Sequence, residues 1–164
     1  IAEFQTVVDK FGGAAGEKAK YFIAVNRLMS DRAAGISELE GIAKTNTDVG
    51  KLAKFALAQT RFDDGKYDEA ATLYQELIAL PDAVVAKETI NFQLAKTYEK
   101  QSKTREAADL YFTIAKTAAE AKDSDGKPVP MGETANEAKE KLTALDAERA
   151  KEIVVPTPES PFGN

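Results

Sequence analysis

The chain contains no cysteine, no histidine and no tryptophan among its 164 residues. Without cysteine it forms no disulfide and offers no thiolate nucleophile, and without histidine it has no imidazole for a catalytic triad or for zinc and haem ligation. Proline is scarce through most of the chain, since five of the six prolines lie beyond residue 127. Together with the 28 alanines, this scarcity favours helix over sheet.

Long apolar runs and an excess of positive charge are missing as well. No window approaches about 18 uninterrupted apolar residues, so we expect no segment of this sequence to span a membrane. The net charge of −5 argues against nucleic acid or an anionic membrane surface as the main partner. With 43% hydrophobic and 30% charged residues, the composition suits one globular domain with a sizeable core.

The sequence does contain an internal repeat. A large apolar side chain recurs at intervals of 35, 35 and 37 residues, at Phe4, Leu39, Tyr74 and Tyr111. Small residues recur with it, on a first helix at Ala24, Ala58 and Ala95 and near the start of a second at Gly35, Ala70 and Ala107. Small residues let two helix backbones approach closely. Because one such pair cannot bury both of its faces, we expect several pairs to stack into one continuous core.

The repeat predicts eight helices, near residues 1–11, 17–30, 32–44, 49–63, 67–79, 84–100, 104–121 and 133–151. The glycine-rich segment 12–16 is interpreted as a turn, and Asp48 is expected to cap the following helix. Residues 1–151 would then form one helical repeat domain, with a partial unit at 1–13, full units at 17–46, 49–81 and 84–121, and a cap at 133–151. Residues 152–164, which include three prolines, are expected to be a flexible tail.

Two stretches of sequence carry a family resemblance. The first comprises Leu57-Ala58, Phe62, Gly65-Lys66-Tyr67-Asp68-Glu69-Ala70, Tyr74, Leu77 and Pro81, and the second Leu94-Ala95, Tyr98, Ala107, Tyr111 and Ile114. In these residues the chain resembles tetratricopeptide repeat (TPR) proteins. The resemblance implies an all-α, right-handed TPR-like α-solenoid of about three full helix pairs, an N-terminal half repeat and a C-terminal capping helix. The chain departs from the family at the tyrosine site of the first helix, which Arg27 and Arg61 occupy in two units.

The resemblance also implies a binding surface. Tyr21, Phe55 and Phe92 occupy one repeat position, and this aromatic column tends to face the concave side in TPR proteins. The predicted peptide-binding groove comprises Tyr21, Val25, Leu28, Leu52, Phe55, Gln59, Phe62, Phe92 and Lys96. An apolar groove of this kind would bind an extended or helical apolar segment of a protein. Two alternatives are open: the aromatic side chains belong to the core, or residues 153–156 of the chain itself fill the groove.

No pattern in the sequence predicts catalysis. In residues 12–18, Gly16 is followed by Glu17 and not by the Lys and Ser/Thr of a phosphate-binding loop. A calcium-loop register on Gly126 would place Ala121 and Gly132 at ligand positions. We therefore expect no enzymatic activity, no cofactor, no metal and no small-molecule substrate. The sequence favours a non-enzymatic scaffold that binds a protein or peptide. The alternative is a homodimer module that pairs two copies through the same apolar face.

The first residues bear on localisation. The sequence starts at Ile1 within an apolar-periodic segment, so we expect further residues to precede it. Residues 2–12, AEFQTVVDKFG, resemble bacterial envelope proteins that carry an N-terminal membrane anchor and an exported TPR domain, the translocon-associated (YfgM-type) group in particular. That resemblance implies a periplasmic location, membrane attachment only through a segment outside this chain, and a link to protein export, chaperoning or assembly. The alternative is a cytoplasmic adaptor.

Overall fold

The computed structural model describes residues 2–82 and 84–155. Within these ranges the chain forms α-helices and no β-strand, and an isolated antiparallel bridge joins Lys122 to Pro128. The predicted all-α class is confirmed. The greater part of the expected tail, residues 156–164, lies outside the described residues.

The chain divides into two compact units, and the first covers residues 1–86. Its helices are α1 (Ala2–Lys10), α2 (Gly13–Ser30), α3 (Arg32–Ile42), α4 (Asp48–Asp63) and α5 (Tyr67–Ala79). α2 pairs with α3 and α4 pairs with α5, while α1 packs on α2 and α4 packs on both α2 and α3. A buried cluster lies among α2, α3 and α4 and consists of Ala24, Leu39, Ile42, Ala53 and Leu57.

The second unit begins at residue 87. Its helices are α6 (Lys87–Lys100), α7 (Thr104–Ala119), α8 (Glu133–Leu145) and α9 (Ala147–Ala150). α6 pairs with α7, α8 packs mainly on α7, and α9 packs on α8. The final predicted helix is interrupted, because the Asp146 side chain accepts a hydrogen bond from the Arg149 backbone N–H at 3.2 Å and starts a new helix.

Side-chain caps determine where α3 and α4 begin. Asp31 accepts a hydrogen bond from the Ala34 backbone N–H at 3.1 Å, and Thr47 accepts one from the Gly50 backbone N–H at 3.0 Å. The expectation that Asp48 caps α4 was wrong by one residue. Asp48 lies in the first turn instead, where its negative charge stabilises the helix dipole.

The turns that follow α4 and α6 have the same geometry. Gly65 has a φ of +73°, and the Lys66 N–H donates to the carbonyl five residues earlier at 2.8 Å. In the other unit, Ser102 has a φ of +60°, and the Lys103 N–H donates to the carbonyl five residues earlier at 2.9 Å. A residue in the left-handed region closes the C-terminus of a helix in this way. The two turns therefore end their helices alike, although Ser102 is not glycine.

The small residues of the repeat lie where paired helices approach each other. The five alanines are fully buried: Ala24, Ala58, Ala70, Ala95 and Ala107. The backbone of Gly35 is so close to α2 that a Cβ atom added there would lie 2.8 Å from the Ala24 carbonyl oxygen. The expected close approach of helix backbones is confirmed at this pair.

Candidate functional site

The predicted groove residues of the first unit lie on α2 and α4. Tyr21, Val25 and Leu28 are half-buried on α2 and pack against the cluster shared with α3 and α4. Burial raises the pKa of the Tyr21 phenol above its usual value. These three side chains therefore contribute apolar surface to the core and expose only part of it to solvent.

Of the four predicted groove residues on α4, three are half-buried and one is exposed. Phe55 and Phe62 are half-buried, with ring centroids 5.9 Å from Tyr74 and 5.5 Å from Tyr67 respectively. Leu52, at the start of the column, is also half-buried, and Gln59 is exposed. Edge-to-face contacts of this kind hold each α4 ring against α5.

In the second unit, Phe92 is 5% exposed and belongs to the buried cluster. Its ring meets that of Tyr111 edge to face at 5.6 Å, and the Lys96 ammonium lies 5.8 Å from the centroid of the Phe92 ring. Phe92 is therefore a core residue, as expected if the aromatic side chains belong to the core, and it offers little surface to a ligand.

The first unit contains a cavity that the sequence did not indicate. It has a volume of about 1080 Å³ and is lined by residues of α1, of α2 as far as Arg27, of the end of α3, and of the loop to α4 with its first turn. Its apolar side chains are Val8, Phe11, Ala14, Ile23, Ile42 and Val49. None of the nine predicted groove residues lines it.

The floor and the rim of this cavity differ in exposure. Ile23 and Ile42 are buried, whereas Phe11 at the end of α1 is 56% exposed. An exposed phenylalanine beside buried aliphatic side chains is an apolar surface that lacks a cover within the described residues. Surfaces of this type bind apolar parts of a ligand, because covering them removes apolar area from water.

Several polar side chains that line the cavity contact one another, although the Glu38 Oε2 atom is buried without a hydrogen-bond partner. Glu17 accepts hydrogen bonds from the hydroxyls of Thr45 and Thr47 at 2.7 and 2.8 Å. Arg27, on α2, forms an ion pair with Glu38 on α3. These contacts tie α2 to α3 and to the loop before α4, so the polar wall is held in place before any ligand binds.

Glycines create the space. The interpretation of segment 12–16 as a turn was wrong for most of it, because α2 already begins at Gly13. Gly12, Gly13, Gly16 and Gly41 line the cavity without side chains to fill it. At Gly16, an added Cβ would lie 2.4 Å from the Phe11 carbonyl oxygen, so α1 and α2 approach here only because this residue has none. Three glycines within five residues, at 12, 13 and 16, were the available signal beside an apolar helix.

The described residues show neither a metal centre nor a membrane span. Across residues 2–82 and 84–155, no group of three His, Cys, Asp or Glu side chains is arranged to hold a metal ion. None of the helices in the same ranges has both the length and the apolar character needed to cross a bilayer.

Comparison with protein-family models, with curated proteins and with solved structures found no match for the chain. The likeness to tetratricopeptide repeats is therefore one of residues and spacing. What the geometry establishes is an all-helical chain whose first unit carries a large, partly apolar cavity between α1 and α3.

Proposed function

We propose that the chain is a non-enzymatic scaffold that binds an apolar segment of another protein in the cavity between α1 and α3. The observation that carries this proposal is the cavity itself, with Phe11 exposed at its rim and Ile23 and Ile42 at its floor. Its volume of about 1080 Å³ matches the upper end of typical ligand clefts, roughly 300–1,000 Å³. An extended or helical peptide fills such a space with a few apolar side chains.

The finer architecture is part of the same proposal. A right-handed TPR-like solenoid of about three helix pairs would account for the 35-residue spacing. The buried small residues and the shared geometry of the turns after α4 and α6 support it, since equivalent positions in a repeat occupy equivalent environments. A residue-by-residue superposition of α4–α5 on α6–α7 in an experimental structure tests this part.

The cellular setting follows only from the resemblance of residues 2–12. On that basis the chain would be the exported, periplasmic domain of a membrane-anchored bacterial envelope protein linked to protein export, chaperoning or assembly. Fractionation of cells that express the full gene product tests this location. Recovery in the cytoplasm without a membrane association would exclude it in favour of the cytoplasmic adaptor.

Peptide binding is tested with a fluorescent ten-residue peptide of leucine, valine and serine, titrated by anisotropy. Phe11→Ala should weaken binding about tenfold, because truncating an aromatic side chain that the bound peptide covers costs about 1–2 kcal/mol. The matched control is Met29→Ala, since Met29 is 92% exposed and lies outside the cavity. Unchanged affinity in Phe11→Ala, or no binding by the parent chain, would refute the assignment of the cavity.

The aromatic column predicted from sequence is compared in the same titration. Phe55→Ala removes a half-buried ring that contacts Tyr74, so circular dichroism must first show that the helices persist. A loss of affinity in Phe55→Ala but not in Phe11→Ala would move the binding surface from the cavity to the column on α2 and α4.

A further inference from the structure

The end of the second unit contains a short segment that packs against α7 and α8. Residues 147–153, named the strap here, comprise α9 and the three residues after it. Ala150 and Ile153 are 5% and 4% exposed and belong to the same buried cluster as Ile114, Ala138 and Leu142. The expectation that the tail begins at residue 152 therefore fails at Ile153, which is packed into the core.

Polar contacts give the strap a defined register. The Arg149 guanidinium donates to an Asp109 carboxylate oxygen at 2.6 Å and lies 4.6 Å from the centroid of the Phe112 ring, both on α7. From α8, the Lys139 ammonium donates to the Ile153 carbonyl oxygen at 3.2 Å. An arginine, a small residue and an isoleucine thus each meet a specific part of the surface.

The strap has little structure of its own. α9 is four residues long, far below the length at which an isolated helix is stable in water. A single residue, Asp146, with φ −151° and ψ 82°, joins it to α8. Its order therefore depends on the side chains that dock on α7 and α8.

We propose that the strap is releasable, and that the surface it covers on α7 and α8 is a docking site for a partner peptide with the same pattern. The pattern is a basic residue, a small residue, two further residues and a large aliphatic residue, as in Arg149-Ala150-Lys151-Glu152-Ile153. The argument is charge and shape complementarity: Asp109 and Phe112 recognise the guanidinium, and the buried cluster accepts the aliphatic side chain. The partner and the strap compete for one site. This inference concerns the second unit and does not depend on the cavity of the first.

The test uses the full chain and a fluorescent peptide that copies residues 146–155. In a chain with Arg149→Ala and Ile153→Asp, the strap loses both anchors while the surface beneath it is unchanged. This strap-open chain should bind the peptide at least about tenfold more tightly than the parent chain, because the parent site is already occupied. Equal binding by both chains, or binding by neither, would overturn the proposal.

A charge reversal tests the register of the bound peptide. Adding Asp109→Lys to the strap-open chain should abolish binding of the arginine peptide. A peptide with glutamate in place of that arginine should restore it, because the ion pair is re-formed with reversed signs. Restored binding of the glutamate peptide supports the docking site. If neither the Asp109→Lys substitution nor the change of peptide alters the affinity, the peptide binds elsewhere.

Hydrogen exchange in the unmodified chain provides a readout that needs no variant. The backbone amides of Ala150 and Ile153 donate to the carbonyls of Asp146, just before the strap, and of Ala150. If the strap opens, these two amides should exchange at least about tenfold faster than those of Ala138 and Leu142 in α8. Equal protection in the strap and in α8 would rule out a releasable strap, whatever the variants do.

Discussion

Two arginines replace the aromatic residue expected on the first helix of each pair, and the structure shows what they do. Arg27 pairs with Glu38 on α3. Arg61, on α4, contacts Glu40 at 2.6 Å and Glu69 at 3.0 Å, so one side chain joins α3 to α5. Partly exposed ion pairs of this kind contribute about 0–1 kcal/mol each. Their value lies in fixing the register between neighbouring helices.

Tyr74, the large repeat residue of α5, has a phenol whose pKa differs between the folded and the unfolded chain. Tyr74 is 1% exposed, and burial, assisted by the negative charge of Asp63, raises the pKa of its phenol well above the ordinary value of 10.0. The folded chain therefore keeps a proton that the unfolded chain releases near pH 10. Stability from this group is complete below that pH and is lost as the pH rises toward the folded-state pKa.

We predict that Tyr74→Phe reduces the alkaline loss of stability. Urea unfolding at about pH 9 and about pH 11 should show a smaller decrease in the free energy of unfolding for Tyr74→Phe than for the parent, by about 1.4 kcal/mol. Thr72→Ala, at an exposed position of the same helix, is the control and should show the parental decrease. Equal decreases in Tyr74→Phe and the parent would contradict the raised pKa.

Between elements, the spacing of α2 and α3 depends on one missing side chain. An added Cβ at Gly35 would lie 2.7 Å from the Leu28 backbone nitrogen and 2.8 Å from the Ala24 carbonyl oxygen. Both atoms belong to helix backbone, so they cannot move aside as a flexible side chain would. Gly41 lies on the same helix, and nothing is within 4 Å of a Cβ added there.

This contrast predicts opposite effects for the same substitution on one helix. Gly35→Ala should lower the free energy of unfolding by about 1–3 kcal/mol, because α2 and α3 must separate. Gly41→Ala should raise it by about 0.5–1 kcal/mol, because alanine loses less entropy than glycine in a helix. Chemical denaturation of both variants measures the difference. A stable Gly35→Ala variant would show that the helices are further apart than described.

At the scale of the whole chain, the proposal of a foreign peptide guest has a consequence for oligomeric state. Phe11 and the cavity it borders lack a cover within the described residues. If the bound segment comes from another protein, this surface is not a dimer interface and the chain is a monomer. If the apolar surface pairs two copies, the chain is the self-association module that the sequence left as an alternative.

We predict a monomer in sedimentation velocity from low to high micromolar concentration. Phe11→Glu and Phe55→Glu, which place a charge in the cavity and in the column, should leave the sedimentation coefficient unchanged. A concentration-dependent dimer that either substitution dissociates would instead establish self-association, and the substitution that acts would identify the face used.

Helices and their ends were predictable from the sequence because they depend on neighbours in the chain. The 3.6-residue periodicity located α3, α4 and α5 to within about two residues. The small positions, such as Ala24 and Gly35, also followed from the repeat, since close helix pairs leave no room for larger residues. The break at Asp146 was missed, because a cap inside an apolar-periodic stretch resembles an ordinary surface residue.

The candidate site depended on tertiary packing. Phe92 and Phe55 share one repeat position, yet Phe92 is buried and Phe55 is half-buried. Ile153 follows a helix in a stretch without periodicity and is buried, while Phe11 ends an apolar face and is 56% exposed. Local sequence determines which backbone conformation a segment adopts and which face is apolar. Whether that face becomes core or open cavity is decided by segments distant in sequence, because burial is a property of what packs against a side chain.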